Sequence, residues 1–175
     1  LAQNRIVVRT AEDGEPFVTL DGKQRMLTAD TLMICDGEKP VAIAGVMGGR
    51  NSEIESATRR VLIESAYFAP MSIRRTSKKL GLSTDASHRF ERGVDPAGTI
   101  TALKRAAQLM LAVGGGTLVE GILDEHPLPF APKSILLKVK DANRLLGTRL
   151  TQKKMAALLE SIELKVKKQT PSELH

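Results

Sequence analysis

The sequence predicts an α+β fold, with a mixed or antiparallel sheet covered by helices. Three observations carry this. Short β-branched apolar runs fill the first third of the chain. Apolar residues at helical spacing take over after Pro70. Composition, charge and proline content then shift together at about residue 132, where a domain boundary is expected. Residues 1–132 form one expected domain, and residues 133–175 the beginning of another, a small strand-helix-helix-strand set.

The strands come first. Ile6-Val7-Val8 and Phe17-Val18-Thr19-Leu20 are apolar runs separated by a polar loop with Gly14 and Pro16. Asp21-Gly22 is a strong two-residue hairpin signal, so residues 17–20 and 24–27 are expected to pair. Thr31 to Cys35 and Val41 to Ala44 are split by the turn residues Asp36-Gly37-Glu38-Lys39-Pro40. Val61-Leu62-Ile63 reads as a further strand, and continuous apolar runs of this kind suit strands covered on both faces.

The helices follow. Pro70 suits the first turn of a helix reaching about Leu80, with Gly81 as its stop. Residues 84–92 read as a second helix, capped by Ser83 or Thr84 and ended by Gly93. Pro96 opens the longest helix, to about Val113. Its apolar residues Ile100, Leu103, Ala106, Ala107, Met110 and Leu111 recur every three or four positions, and Gly114-Gly115-Gly116 closes it. Strands are expected again at 117–123 and 135–139, on either side of a stiff connector with Pro127, Pro129 and Pro132. A short helix near Asp141–Leu146, a helix from Thr151 and a strand Leu164-Lys165-Val166 complete the reading.

Composition narrows the function. With 42% hydrophobic and 26% charged residues, the 175-residue chain can bury a core. No apolar run approaches the ~20 residues of a membrane helix. The single Cys35 cannot form an internal disulfide or a metal cage, so a reducing cytosol is expected. Leu1-Ala2-Gln3-Asn4 has no apolar signal core and no Met, as in a piece of a longer protein. The net charge of +6 resides in residues 133–175, which hold 10 basic and 4 acidic side chains, whereas 1–132 balance at 16 and 16. Aromatics at 3%, with no Trp, argue against a base-stacking surface for single strands.

Four stretches could carry chemistry. Gly45-Val46-Met47-Gly48-Gly49 is either a tight loop or a place where a ligand approaches the backbone; it lacks the lysine and spacing of a phosphate loop. Glu64, after an apolar run, is either paired with an arginine or lines a pocket, because burying a lone carboxylate is expensive. Within Ser83 to Gly93, Ser87 and His88 are sequence neighbours that point apart on a helix, which removes a catalytic triad. His88 has no partner cluster for zinc. Arg74, Arg75, Lys78 and Lys79 form either a solvated helix face or a set of phosphate contacts.

Four strings occur together: Ala44-Gly45-Val46-Met47-Gly48-Gly49, Val61-Leu62-Ile63-Glu64-Ser65-Ala66-Tyr67-Phe68, Ser72-Ile73-Arg74-Arg75, and Thr84-Asp85-Ala86-Ser87-His88-Arg89-Phe90-Glu91-Arg92-Gly93-Val94-Asp95-Pro96. Their order and spacing resemble the editing domain of the β subunit of bacterial phenylalanyl-tRNA synthetase. Asn143-Arg144-Leu145-Leu146-Gly147 and the Thr151 helix resemble the opening of that subunit's next domain.

The resemblance implies a cytoplasmic two-subunit ligase, a heterotetramer of two α and two β chains, that joins phenylalanine to tRNA(Phe) with ATP and magnesium. The synthetic centre belongs to the α subunit. No cofactor, metal or covalent nucleophile is implied for the present stretch. It would hydrolyse mischarged tyrosyl-tRNA(Phe), by attack of a positioned water helped by the terminal ribose of the tRNA. Residue by residue, Glu64 matches the acid that reads the tyrosine hydroxyl. Thr84 and Ala86 match the pocket wall, and Gly48 matches a glycine that keeps the pocket open. The family also uses a histidine that would lie just before Leu1; neither His88 nor His126 takes that place. The alternative from another class is a non-catalytic RNA-binding or scaffolding module, resting on the basic tail and the Arg74–Lys79 cluster. A nucleotide-binding domain built on the glycine loop is weaker still, for want of regular strand–helix alternation.

Overall fold

The computed structural model describes residues 2–131, 133–166, 169–170 and 173–174. The chain divides into two compact units, between Ile122 and Leu123.

The first unit is built on antiparallel strands. β1 (Val7–Thr10), β4 (Leu32–Cys35), β5 (Pro40–Ile43) and β6 (Met47–Gly48) form a four-stranded sheet in the order β1-β4-β5-β6. β2 (Pro16–Val18) and β3 (Gln24–Met26) pair as a hairpin around Asp21-Gly22, but over 16–18 and 24–26 rather than the expected 17–20 and 24–27, with Phe17 opposite Arg25. The hairpin meets the sheet at β6, where Leu20 N–H donates to Gly48 O at 3.0 Å and Thr19 bridges Gly49. The β4–β5 turn is organised by Asp36, whose carboxylate accepts the backbone N–H groups of Ala2, Glu38 and Lys39 and is thereby held at a pKa of about 2.

β4 is the covered strand that its unbroken apolar run requires: Met33, Ile34 and Cys35 are all buried. They join Phe17, Leu27, Ile43, Ala44, Val46, Phe68, Ile73 and Leu82 in one core.

α1 (Pro70–Leu80) begins with proline in its first turn and ends at Gly81, which takes the left-handed conformation (φ 61°) a side chain would strain. Leu82 N–H then closes back on Ser77 O. Ile73, Thr76 and Ser77 face inward. Two polar contacts tie its last turn down. Arg25 donates to Leu80 O at 3.2 Å, and Lys79 pairs with Asp30 at 2.7 Å. α2 (Asp85–Phe90) is capped by Thr84, and α3 (Thr99–Gly114) follows a 3-10 turn at Pro96–Gly98.

Several expected elements differ. Val61-Leu62-Ile63 is not a strand; residues 53–69 run without regular structure, and Val61 and Leu62 are exposed. An apolar triplet carries no information about the partner edge a strand needs, and no described strand pairs with it. Residues 117–123 and 164–166 are likewise irregular, and the strand expected over 135–139 shrinks to β7 (Leu137–Lys138). α1 and α2 contribute Ile73, Leu80 and Phe90 to the core, as a covering layer should. α3 buries no residue, although its apolar stripe is half-covered.

The second unit has β7, α4 (Val139–Leu146), α5 (Gln152–Glu160), β8 (Gln169–Thr170) and β9 (Glu173–Leu174), with the sheet order β7-β9-β8. Met155, Ala156 and Leu174 form its small core, against Leu137, Val139 and Leu150. Thr151 caps α5 through Lys154 N–H.

Candidate functional site

The glycine loop sits where three segments of the first unit meet. Gly45 has φ 65°, and a Cβ on it would lie 2.8 Å from Phe68 Cδ2 and 2.9 Å from Ile73 Cδ1. The loop backbone therefore lies directly on α1 and on the segment that carries Glu64. Phe68 also packs edge-on against Phe90 of α2, with ring centroids 4.9 Å apart. Phe68 thus joins the loop, the 64–68 segment and α2.

Thr84 makes the polar counterpart of that contact. Its hydroxyl donates to Val46 O at 2.7 Å and accepts from Ser87 N–H at 3.0 Å. Ser87 Oγ in return accepts Thr84 N–H at 2.9 Å, which completes a capping box at the start of α2. Ser87 is buried and Ala86, beside it, is half-buried.

Gly48 lies on β6, and a side chain there would point at Leu20, with Cδ1 at 3.1 Å. Glu64 lies on the irregular segment rather than at a strand end. The residue is exposed as a whole, yet enough protein surrounds its carboxyl for desolvation to push its pKa up. No hydrogen bond or ion pair is described for it. Its neighbour Ser65 is anchored, donating to Thr99 O at 2.8 Å. Every deeply buried side-chain nitrogen and oxygen among the described residues has a partner.

The structure therefore joins Thr84 to the loop that ends in Gly48 by a direct hydrogen bond, and places Ala86 on the same helix start. Glu64 reaches that assembly through Phe68, not through a polar contact of its own. Two shallow hollows lie elsewhere on this unit. One of about 540 Å³ is lined by Pro16, Phe17, Val18, Pro40, Arg50 and Asn51. The other, of about 460 Å³, borders Asp36, Lys39, Ser52, Thr58 and Leu62. Neither is lined by Gly48, Glu64, Thr84 or Ala86.

Arg74, Arg75, Lys78 and Lys79 are all exposed on α1. Lys79 is engaged by Asp30, whereas no partner is described for the other three. Phe68 and Ser87 hold the site together in roles that the sequence analysis did not give them. The first could have been found only from its contact with Gly45, the second from its place three residues after a capping threonine.

Residues 1–115 match the family described as the B3/4 domain. The chain belongs to the B3/4 domain family. Full-length relatives of this B3/4 chain include proteins named phenylalanine–tRNA ligase beta subunit. The one from Syntrophus aciditrophicus is 54% identical over 167 residues, covering 95% of this chain and 21% of the relative. Those from Geobacter metallireducens (52% over 166 residues) and Salinibacter ruber (54% over 162 residues) cover 95% and 93% of this chain, and 21% and 20% of the relative. The chain spans about a fifth of the length of these relatives. The likeness runs well past the B3/4 match, into the second unit.

Among the described residues no three of His, Cys, Asp and Glu converge as a metal site, and no helix is long and apolar enough to cross a membrane.

Proposed function

We propose that this B3/4 chain is the editing part of a phenylalanine–tRNA ligase β subunit, hydrolysing the ester of mischarged tyrosyl-tRNA(Phe). Residues 1–132 are the editing domain and 133–175 open the next domain. The enzyme acts in the cytoplasm with an α subunit, in a heterotetramer of two α and two β chains. ATP and magnesium serve its synthetic centre in the α subunit. The glycine loop of this chain carries no lysine of the kind that holds nucleotide phosphates.

The observation that carries the reading is Glu64. Its carboxyl is partly desolvated, has no described partner, and sits on the segment that Phe68 fastens to the glycine loop and to α2. A carboxylate in that state gains by accepting a hydrogen bond from a phenol, and a phenylalanine ring offers none. The chemical reason for a second site is the weakness of the first. An apolar pocket rejects a ligand with one extra hydroxyl by only about 10²-fold, whereas a site built to bond that hydroxyl rejects the ligand lacking it by about 10⁴-fold or more. Thr84 and Ala86 at the start of α2, with Gly48 on β6, form the wall around the amino acid. A water held beside the ester carbonyl is the nucleophile, assisted by the terminal ribose of the tRNA. Arg74, Arg75 and Lys78 contact tRNA phosphates, with Lys79 a lesser contributor because Asp30 holds its ammonium.

The test is deacylation of tyrosyl- and phenylalanyl-tRNA by the full heteromer carrying Glu64→Ala. The expected result is loss of the preference for the tyrosyl ester. Unchanged discrimination between the two esters removes Glu64 from this role.

A further inference from the structure

We infer that Thr84 is a positioning residue, which holds the Gly45–Gly49 loop in shape through Val46 O rather than touching the bound amino acid with its hydroxyl. The inference deepens the editing reading and rests on it for its functional half.

A threonine hydroxyl has one proton to give and two lone pairs to offer. At Thr84 the nearest acceptor for the proton is Val46 O at 2.7 Å, with Ser87 Oγ a longer one at 3.3 Å, and a lone pair receives Ser87 N–H at 3.0 Å. The donor is therefore committed before any ligand arrives. Val46 is buried, so its carbonyl has no water to fall back on if the hydroxyl is removed. The bond spans 38 residues of sequence and joins the tip of the β5–β6 connection to the first turn of α2.

Two features make this a fixed point rather than a surface contact. Ser87, fully buried, locks the Thr84 backbone by accepting its N–H and donating back to its carbonyl at 3.0 Å. On the loop side, Val46 N–H donates to Ile43 O at 3.1 Å and Gly49 N–H to Val41 O at 2.7 Å. Val46 is thus held through its N–H by Ile43 and through its carbonyl by Thr84, and Gly49 closes the loop on Val41. Releasing the Val46 carbonyl frees the turn that leads into β6, where Gly48 lies.

The test uses the full heteromer with Thr84→Val, which keeps the shape and removes the hydroxyl, and Thr84→Ser, which restores it. Hydrogen exchange is read at the Val46 and Gly49 amides, and hydrolysis of tyrosyl-tRNA is resolved into kcat and KM. Thr84→Val is expected to speed exchange at both amides about tenfold and to lower kcat by a similar factor with KM little changed, as removal of a buried hydrogen bond implies. Thr84→Ser is expected to rescue both. Ser87→Ala keeps the Thr84–Val46 bond and is expected to loosen only α2 amides. Unchanged exchange in Thr84→Val overturns the inference. So does a rise in KM alone, which marks a direct ligand contact, or failure of Thr84→Ser to rescue. Equal loosening of the loop by Ser87→Ala overturns it too, because helix loss would then be the cause. A heteromer with native Thr84 that leaves tyrosyl-tRNA intact refutes the editing reading instead, and the exchange measurements alone then decide the loop contact.

Discussion

Gly48 and Gly49 are neighbours in sequence, and alanine at each should have opposite consequences. A Cβ on Gly49 would lie 2.7 Å from Phe17 Cζ, 2.8 Å from Val41 O and 2.7 Å from Asn51 Oδ1. Ordinary carbon contacts are about 3.5–4.0 Å, so all three atoms must retreat by most of an ångström. Asn51 can swing aside. Val41 O cannot, because it accepts Gly49 N–H at 2.7 Å from within β5, and Phe17 is buried in the core. Gly49→Ala should therefore cost about 3 kcal/mol, the upper part of the overpacking range. A Cβ on Gly48 meets only the end of the Leu20 side chain at 3.1 Å, which can rotate away. The reduced freedom of the unfolded chain offsets that crowding by about 0.4–1 kcal/mol, so Gly48→Ala should be near neutral. In the 175 residues taken by themselves Tyr67 is the sole tyrosine, it lies in the first unit and there is no tryptophan, so tyrosine fluorescence of that stretch follows the first unit's unfolding. With a urea slope of about 1.5 kcal/mol per molar, Gly49→Ala should lower the midpoint by about 2 M and Gly48→Ala should barely move it. Equal shifts for the two variants, or none for Gly49→Ala, would refute the steric argument.

Charge sets two further outcomes. Glu15 is gripped by both Arg9 nitrogens at 2.7 and 2.8 Å; that bonding is the first cause holding its pKa at about 2, below its ordinary 4.5. Because the folded value is the lower one, the stabilisation is full above pH 4.5 and is lost as pH falls toward 2, so denaturant curves for wild type and Glu15→Gln should converge across that window. On α1, Arg74→Ala, Arg75→Ala or Lys78→Ala should weaken tRNA binding by the full-length subunit and flatten its salt dependence by about one unit for each phosphate no longer neutralised. Lys79→Ala should have the smallest effect of the four, and filter binding across a salt series distinguishes them.

What could be read from the chain, and what could not, divides by the range of the interactions. α1 was legible to the residue because proline at one end and glycine at the other are local backbone constraints. The β2–β3 hairpin was legible for the same reason, through Asp21-Gly22. Thr84 as a helix cap follows from a hydroxyl placed before a polar helix start. Val61-Leu62-Ile63 misled because strand formation depends on finding an edge, and hydrophobicity is silent about edges. α3 showed its stripe in sequence but buries no residue here, since periodicity states which face is apolar and not what covers it. The bond from Thr84 to Val46 and the wedge of Phe68 between Gly45 and Phe90 join positions remote in sequence. No spacing rule reaches them.

The arrangement also separates residues whose polar groups are spent from one whose group is not. Asp36 is consumed by three backbone amides, Glu15 by Arg9, Asp30 by Lys79, and Thr84 by Val46 and Ser87. Each of these contacts holds a turn, a helix end or a loop in place, and each pushes its carboxylate down in pKa where it has one. The Glu64 carboxyl moves the other way, with desolvation as the cause and no described partner to offset it. Such a group disfavours its own charged form and is relieved by any donor delivered to it. Two contacts fasten the segment that carries it, Ser65 to Thr99 O and Phe68 to Phe90. In the proposed editing role the donor that relieves the carboxyl is the phenol hydroxyl of a misattached tyrosine, which a phenylalanine ring lacks, so the same group that binds the ligand also selects it.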